Sequence, residues 1–96
     1  MSGFEWDSLK SDNNKVKHGI SFREGLEIWQ GVHLVVEGIA YGKRGENRGA
    51  TIGYVVSEVY TAIWTRRNNK IRIISIRRAR DGEKEVFFKN LIQKLW

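Results

Sequence analysis

The sequence predicts an α+β fold in which two N-terminal helices and one C-terminal helix flank a small antiparallel sheet. The sheet has three to four strands, plus a short strand at the N-terminus. Apolar residues recur at helical spacing near both ends of the chain but at the two-residue spacing of strands across its middle. A chain of 96 residues is too short to split into two halves with cores of their own, so we expect one domain over residues 1–96.

The N-terminal part begins with a short strand and a helix. The strand is the apolar and acidic alternation FEWD at residues 4–7. Asp7 is a favourable N-cap for a helix over residues 8–18, and Gly19 is a favourable residue to end it. Ser21, with Glu24 three residues later, predicts a capping box that starts the second helix.

Strands follow from residue 32, because the apolar period changes to two and β-branched and aromatic residues accumulate. They are predicted at residues 32–41, 51–56, 59–66 and 71–77. The glycine-rich stretch 42–49 and the stretch 67–70 form turns. Asp81 and Gly82 then open the final helix, whose first turn is acidic, as the helix dipole favours.

The last strand belongs to the unusual stretch KIRIISIRRAR, in which isoleucines alternate with cations. Strict alternation places Ile71, Ile73, Ser75 and Arg77 on one face, and Arg72, Ile74, Ile76 and Arg78 on the other. This predicts a central strand buried on both sides, with arginines at its ends. A hydroxyl and a guanidinium on one face can approach one anion together. Alternatively, the arginines pair with carboxylates such as Glu83 or Glu85, although the segment holds few acids.

Charge is uneven along the chain. The net charge is +6, yet residues 43–84 contain eleven Lys/Arg and four Asp/Glu, a net charge of +7, while residues 1–42 have a net charge of −2. A basic region inside the folded part suggests a polyanion or an acidic protein as partner. A solvated surface with no specific partner is the alternative.

Other function classes find little support in the sequence. There is no cysteine, which excludes disulfides and thiolate metal sites, and the two histidines lie 15 residues apart, so we expect no metal and no cofactor. The glycines of 42–49 do not follow the phosphate-loop pattern. No apolar run has the length of a membrane span, and no secretory signal is visible.

Three basic residues of the first helix are further candidates. His18 can act in proton transfer or bind phosphate, or it can simply satisfy carbonyls at the helix end. Lys10 and Lys17 are seven residues apart and therefore share one helix face. They can contact a phosphate backbone or remain solvated.

Several stretches together resemble one protein family: FEWD (4–7), Lys10, Asn14, KHGISF (17–22), Ile52–Gly53, YT (60–61), IRIISIRRA (71–79) and Glu83. Their order and spacing are similar to those of the BrnT toxins of bacterial type II toxin–antitoxin systems. The resemblance implies a RelE-like fold, RNA cleavage that arrests translation, and neutralisation by a BrnA-type antitoxin. It also implies that operator DNA is bound only through the antitoxin complex. The expected location is cytoplasmic, with no membrane partner.

Together, the basic residues and the resemblance suggest metal-independent cleavage with the RNA 2′-OH as nucleophile. In this hypothesis Arg77 and Arg66 stabilise the transition state and Arg72 positions the substrate, while Lys10, Lys17 or His18 transfers protons. The further expected RNA-binding residues are Arg48, Ser75, Arg78 and Arg80. A non-catalytic basic binding module, or a degenerate toxin that retains only antitoxin binding, is the alternative.

Overall fold

A computed structural model describes residues 3–40 and 47–94. The elements are β1 (Phe4–Glu5), α1 (Ser8–His18), α2 (Phe22–Gly25), a 3₁₀ turn (Leu26–Trp29), β2 (His33–Ala40), β3 (Asn47–Val55), β4 (Glu58–Arg67), β5 (Lys70–Arg78) and α3 (Asp81–Lys94). The predicted α+β architecture is confirmed. Of the glycine-rich turn predicted at 42–49, residues 42–46 lie outside the described residues, and the remainder begins β3.

The five strands form one sheet in the order β1-β5-β4-β3-β2. The long strands pair antiparallel, whereas β1 runs parallel to β5. The central strand is therefore β4, in which five consecutive residues, Thr61 to Thr65, are buried. The prediction that 71–77 is the central strand is wrong, because only the two residues of β1 lie beyond β5.

Helix α1 lies along the outer edge of β5, where β1 ends, and it docks through polar groups. Its two large apolar residues, Leu9 and Val16, are 67% and 88% exposed, whereas Ser11 and Asn14 are buried. Asn14 Nδ2 donates to the carbonyl of Ile76 at 2.8 Å, and Ile76 N donates back to Asn14 Oδ1 at 3.2 Å. The amide side chain thus pairs with β5 as a neighbouring strand would.

The ends of α1 and the start of α2 are as predicted. Asp7 accepts hydrogen bonds from the backbone at the start of α1, and Gly19 ends that helix in the left-handed conformation at φ 76°. Ser21 and Glu24 form the capping box of α2. That second helix is short, and from Leu26 the chain tightens into the 3₁₀ turn.

The core on the helical face of the sheet lies beneath α1, α2 and the 3₁₀ turn. Its buried members are Ile20, Phe22, Ile28, Ala62, Trp64, Ile73 and Ile76. Trp64 Nε1 donates to Thr51 Oγ1 at 2.8 Å, so the ring is hydrogen-bonded despite its burial. A Cβ at Gly49 would collide with the Trp64 ring, so glycine is needed at that position on β3.

The opposite face of the sheet, here called the open face, is covered by α3 near the β3–β4 turn. Phe87 of α3 packs there with Ile52, Val59 and Ala79. Towards the other end of β3 and β4 the open face carries Arg48, Ile63 and the polar half of β5.

A β-bulge changes the pattern predicted for β5. Ile63 pairs with Ser75 and Trp64 pairs with Ile73, so Ile74 is the extra residue without a partner on β4. Ile73 and Ile76 consequently both reach the helical core, while Ile74 and Ser75 both border a pocket on the open face. The strict alternation predicted from the sequence is therefore wrong at Ile73 and Ile74, but it correctly puts Ser75 and Arg77 together.

Two hairpins join β3 to β4 and β4 to β5. The β4–β5 turn uses Asn68 and Asn69, with φ of 53° and 65°, which suits a two-residue turn with two left-handed positions. The β3–β4 turn places Val56 at φ 59°, and Val56 N donates to Glu27 Oε2 at 2.7 Å. This bond ties the tip of the hairpin to the 3₁₀ turn.

Candidate functional site: a basic pocket on the open face

A pocket of about 240 Å³ lies on the open face where β3, β4 and β5 run side by side. We call it the basic pocket, and its lining residues are Arg48, Ile63, Ile74, Ser75, Arg77 and Arg80. Four predicted site residues, three arginines and one serine, therefore meet in one place. Guanidinium groups and a hydroxyl around a small concave surface are suited to binding a phosphate.

Arg77 is fixed in this pocket by Glu83 of α3. Its Nη1 and Nη2 donate to the two carboxylate oxygens at 2.7 and 2.9 Å, and the two side chains are 17% and 22% exposed. The pairing with Glu83 that the sequence offered as an alternative is thus present. A two-pronged contact of this kind orients the guanidinium plane, and Arg77 Nη1 also donates to the carbonyl of Arg78 at 3.4 Å.

Glu83 is itself a junction between the sheet and α3. Its Oε1 also accepts from Thr61 Oγ1 at 3.0 Å and from the backbone N of Arg80 at 2.8 Å. Burial acts to raise the pKa of Glu83, but the bonds from Arg77, Arg80 and Thr61 outweigh it and lower the pKa to about 2. The carboxylate is therefore charged throughout the physiological range.

Arg48 approaches the basic pocket from β3, where its backbone lies opposite Thr65 of β4. Its Nε is buried and has no hydrogen-bond partner among the residues that the structure describes. A buried donor without a partner costs about 1–3 kcal/mol. The guanidinium is thus positioned to gain from an acceptor brought into the pocket.

Two lysines of α1 flank the same side of the sheet. Ser11 and Lys15 face α2, since Phe22 N donates to Ser11 Oγ and Lys15 pairs with Glu24. In a helix of 3.6 residues per turn, Lys10 and Lys17 lie on the other side of Asn14 from those two contacts. This flank is next to the open face, and Lys10 and Lys17 are exposed there.

His18, the last residue of α1, lies close enough to Arg77 for that charge to affect it. Partial burial lowers the pKa of His18, and the positive charges of Lys17 and Arg77 lower it further. The imidazole is therefore mainly neutral at pH 7, in the form that accepts a proton.

Arg66 lies away from the basic pocket. It pairs with Glu37 of β2 at 3.0 Å and sits over the Trp64 ring at 5.3 Å, on the helical face. Its partner on β5 is Ile71, whereas Arg77 lies opposite Thr61, five β4 positions away. Five strand residues span about 16 Å, and the two arginines point to opposite faces. The expectation that Arg66 and Arg77 act together on one phosphate is therefore corrected.

The other two arginines of β5 also have carboxylate partners outside the basic pocket. Arg72 Nη1 contacts Glu5 Oε2 of β1 at 3.1 Å, with both side chains partly buried. Arg78 pairs with Glu58 at 2.9 Å, and both side chains are more than half exposed. These glutamates are far from β5 in the sequence. The small number of acidic residues near β5 in the sequence therefore did not indicate whether its arginines are paired.

The sequence reasoning did not identify the apolar part of the basic pocket, formed by Ile63 and Ile74. A signal was available for the second residue. Two adjacent isoleucines followed by another after two positions, Ile73, Ile74 and Ile76, do not fit a strict two-residue period. In a strand, such a phase change is the mark of a bulge.

Among residues 3–40 and 47–94, no group of three or more histidines and carboxylates is placed to bind a metal. Within that same part of the chain, no helix combines the length and apolar character needed to cross a membrane.

A comparison with known protein families extends over most of the chain. Residues 6–83 match the model of the family described as the ribonuclease toxin, BrnT, of type II toxin–antitoxin systems. The match includes β5, the basic pocket and Glu83. No curated protein sequence matches the chain. Because the family model covers well over half of the residues, the chain belongs to the BrnT family of ribonuclease toxins, whose partners are an RNA substrate and an antitoxin.

Proposed function

We propose that this toxin cleaves RNA at the basic pocket without a metal ion, with the 2′-OH next to the scissile phosphate as nucleophile. The observation that carries the proposal is the meeting of Arg77, Arg80 and Ser75 around one small concave surface. As the 2′-oxygen attacks, negative charge grows on the phosphate oxygens, and positioned cations stabilise that charge most when they need no reorganisation. Arg77 meets this condition because Glu83 fixes its orientation.

Proton transfer completes the reaction. A neutral His18 accepts the 2′-OH proton, and Lys17 or Lys10 supplies a proton to the departing 5′-oxygen. The bond from phosphorus to the 5′-oxygen breaks as the bond to the 2′-oxygen forms, which leaves a 2′,3′-cyclic phosphate and a 5′-hydroxyl. Arg72 lies on the same face as Arg77 and contacts the RNA backbone outside the pocket, whereas Arg78, paired with Glu58, binds RNA beyond the pocket.

The biological consequences follow the family. Cleavage of RNA inhibits translation in the cytoplasm, and a BrnA-type antitoxin neutralises the toxin. Operator DNA is bound through the antitoxin within the complex, and the toxin acts as a single domain over its 96 residues. A BrnA-type partner with an acidic surface is supported by the toxin's net charge of +6.

Cleavage in EDTA is the first prediction. Purified protein is incubated with a short single-stranded RNA in excess EDTA, and with the same RNA carrying one 2′-deoxy sugar at the mapped cut. We expect the first RNA to be cut to a cyclic phosphate end, and the second to remain intact at that position, because the nucleophile is missing. Cleavage of the 2′-deoxy position, or complete loss of activity in EDTA that Mg²⁺ restores, would contradict the mechanism.

The second prediction concerns the variant Arg77→Lys in the same RNA cleavage assay. Lysine retains the charge but cannot form the two-pronged contact, so we expect cleavage to fall by about 10²- to 10³-fold, in the range for losing one transition-state donor. Arg67→Ala is the matched control, because it removes an exposed arginine at the far end of β4. RNA binding that persists without any cleavage in the wild type would instead favour the non-catalytic module.

A further inference from the structure

The basic pocket is only partly basic, and its apolar part has no role in phosphate chemistry. Ile63 and Ile74 line it beside the arginines. Ile74 reaches this face only because the bulge inserts it between Ile73 and Ser75. Bulges of this kind commonly redirect a side chain next to an active site. A phosphate gains nothing from two isoleucines, whereas the flat face of a nucleobase can pack against them.

Arg48 supplies the second observation. Its Nε is buried at this pocket without a hydrogen-bond partner in the described part of the chain. Because the guanidinium carries donors in a fixed fork and no acceptor, the missing partner must present acceptors. No carboxylate from residues 3–40 and 47–94 lines the pocket, and an incoming ligand can bring the acceptor.

We propose that the basic pocket contains a nucleobase subsite for guanine, next to the scissile phosphate, with Ile63 and Ile74 against the base and Arg48 on its edge. Guanine presents two adjacent acceptors, O6 and N7, that match the guanidinium fork, and in single-stranded RNA this edge is open. Adenine places an amino donor where O6 would be, so its amino group faces the donors of Arg48. The inference rests on the proposed function, since the nucleotide bound there belongs to the RNA that is cut.

The volume agrees with a single nucleobase as occupant. At about 240 Å³ the pocket is smaller than the roughly 300–1,000 Å³ of sites for drug-sized molecules, a size that includes a whole nucleotide. Arg77 and Ser75 line one part of it, and Arg48 enters from the neighbouring strand pair. One base therefore occupies the pocket with its adjoining phosphate beside Arg77, while the rest of the RNA extends across the open face towards Arg72.

The test measures binding and cleavage separately. Short 2′-O-methyl RNAs, which cannot be cut by 2′-OH attack, are compared by fluorescence anisotropy with guanine, adenine or 7-deazaguanine at one position in an otherwise uniform strand. We expect guanine to bind about 5- to 150-fold more tightly than adenine, the range for one two-pronged base contact. Removal of N7 in 7-deazaguanine should reduce that advantage.

Two variants connect the effect to the structure. Arg48→Lys keeps the charge but loses the fork, so guanine, adenine and 7-deazaguanine should bind equally. Ile74→Ala should weaken binding of every base, while its circular dichroism spectrum stays that of the folded protein. Arg67→Ala is again the control and should keep the guanine preference.

A cleavage experiment tests the subsite independently of the binding measurements. When wild-type protein digests a randomised RNA, sequencing of the new 5′ ends should show guanine enriched at one position beside the cut, and Arg48→Lys should remove the enrichment. Equal binding of guanine and adenine by the wild type would overturn the subsite even if RNA is cut. Guanine-selective binding without any cleavage would support the subsite and overturn the proposed reaction.

Discussion

The geometry of the site depends on two hydrogen bonds between the side chains of Arg77 and Glu83. Glu83 contacts the guanidinium, a threonine of β4 and the backbone at the start of α3 with one carboxylate. The residue that orients the Arg77 guanidinium is thus also the residue that caps a helix. Loss of the carboxylate should affect both the position of Arg77 and the docking of α3.

Replacement of Glu83 by glutamine should lower both stability and activity. At pH 7 we expect a loss of about 1–3 kcal/mol in the free energy of unfolding, because Arg77 loses its charged acceptor. Urea unfolding followed by tryptophan fluorescence measures this change. Glu85→Gln is the control, since Glu85 is exposed and pairs with Lys89 on the same helix, and it should stay within about 0.5 kcal/mol of the wild type.

The same variant has a pH signature. The pKa of Glu83 is about 2 in the folded protein against an ordinary value of 4.5. A lowered pKa stabilises the folded state fully above the ordinary value, and this contribution disappears as the pH falls from about 4.5 towards 2. The wild type should therefore lose more stability than Glu83→Gln over that interval. Parallel curves for the two proteins would show that the ion pair contributes nothing.

At the scale of single residues, the sequence allowed side chains to be placed on a face of the sheet more readily than it allowed their partners to be identified. Arg77 and Ser75 could be assigned to one face because both lie beyond the bulge, where alternation applies again. Arg66 was assigned to the same phosphate because its distance from Arg77 depends on hairpin register, which composition does not contain. The pairing of Arg72 with Glu5 spans 67 residues of sequence and could not be read from local charge.

Among the elements, α1 is unusual because polar side chains dock it. Most helices attach through an apolar stripe, but here Asn14 meets both backbone groups of Ile76, and its Nδ2 also donates to the carbonyl of Ile20 at 2.8 Å. The helix that presents Lys10 and Lys17 beside the open face is thus aligned with β5 by hydrogen bonds.

Replacement of Asn14 by alanine should therefore destabilise the fold strongly. Three buried backbone groups would lose their partner, and each costs about 1–3 kcal/mol. Urea unfolding should show a loss in the free energy of unfolding that is several times larger than the loss for Leu9→Ala or Val16→Ala. These two are the matched changes at exposed apolar positions of the same helix. If the apolar variants were as destabilised as Asn14→Ala, the helix would dock through a different surface.

Elements were predictable where a local signal marks them. The N-cap Asp7, the stop at Gly19 and the capping box at Ser21 each act within one helical turn, so the start and end of α1 and the start of α2 were predicted correctly. The position of β5 within the sheet was not, because it depends on the pairing of β5 with β1, which is far away in the sequence. The bulge at Ile74 likewise follows from packing on both faces of the sheet.

For the whole molecule, more of the positive charge is neutralised by ion pairs than the sequence alone indicates. Four arginines on β4 and β5 are each paired with a glutamate from another part of the chain. The excess positive charge that remains is available to an anionic partner. A basic pocket beside two lysines of α1 is a surface that RNA and an acidic antitoxin would both use.

RNA and the cognate antitoxin should therefore compete. We expect the antitoxin to release a fluorescent 2′-O-methyl RNA from the toxin and to stop cleavage in the same concentration range, because one surface cannot bind both. Antitoxin titration with an anisotropy readout measures release, and a gel assay measures cleavage. Arg48→Lys, which retains its charge, should still bind the antitoxin. A ternary complex that cuts RNA would show that the two partners use different surfaces.

The long-range contact between Asn14 and Ile76, 62 residues apart, also has a consequence in time. A ribosome makes the N-terminal helices first, and domains fold as the chain emerges. Helix α1 then has no strand to dock on until β5 has been synthesised, and Arg77 has no carboxylate partner until Glu83 follows. An incomplete chain therefore has no basic pocket. The order of synthesis thus places the formation of the pocket after the synthesis of Glu83.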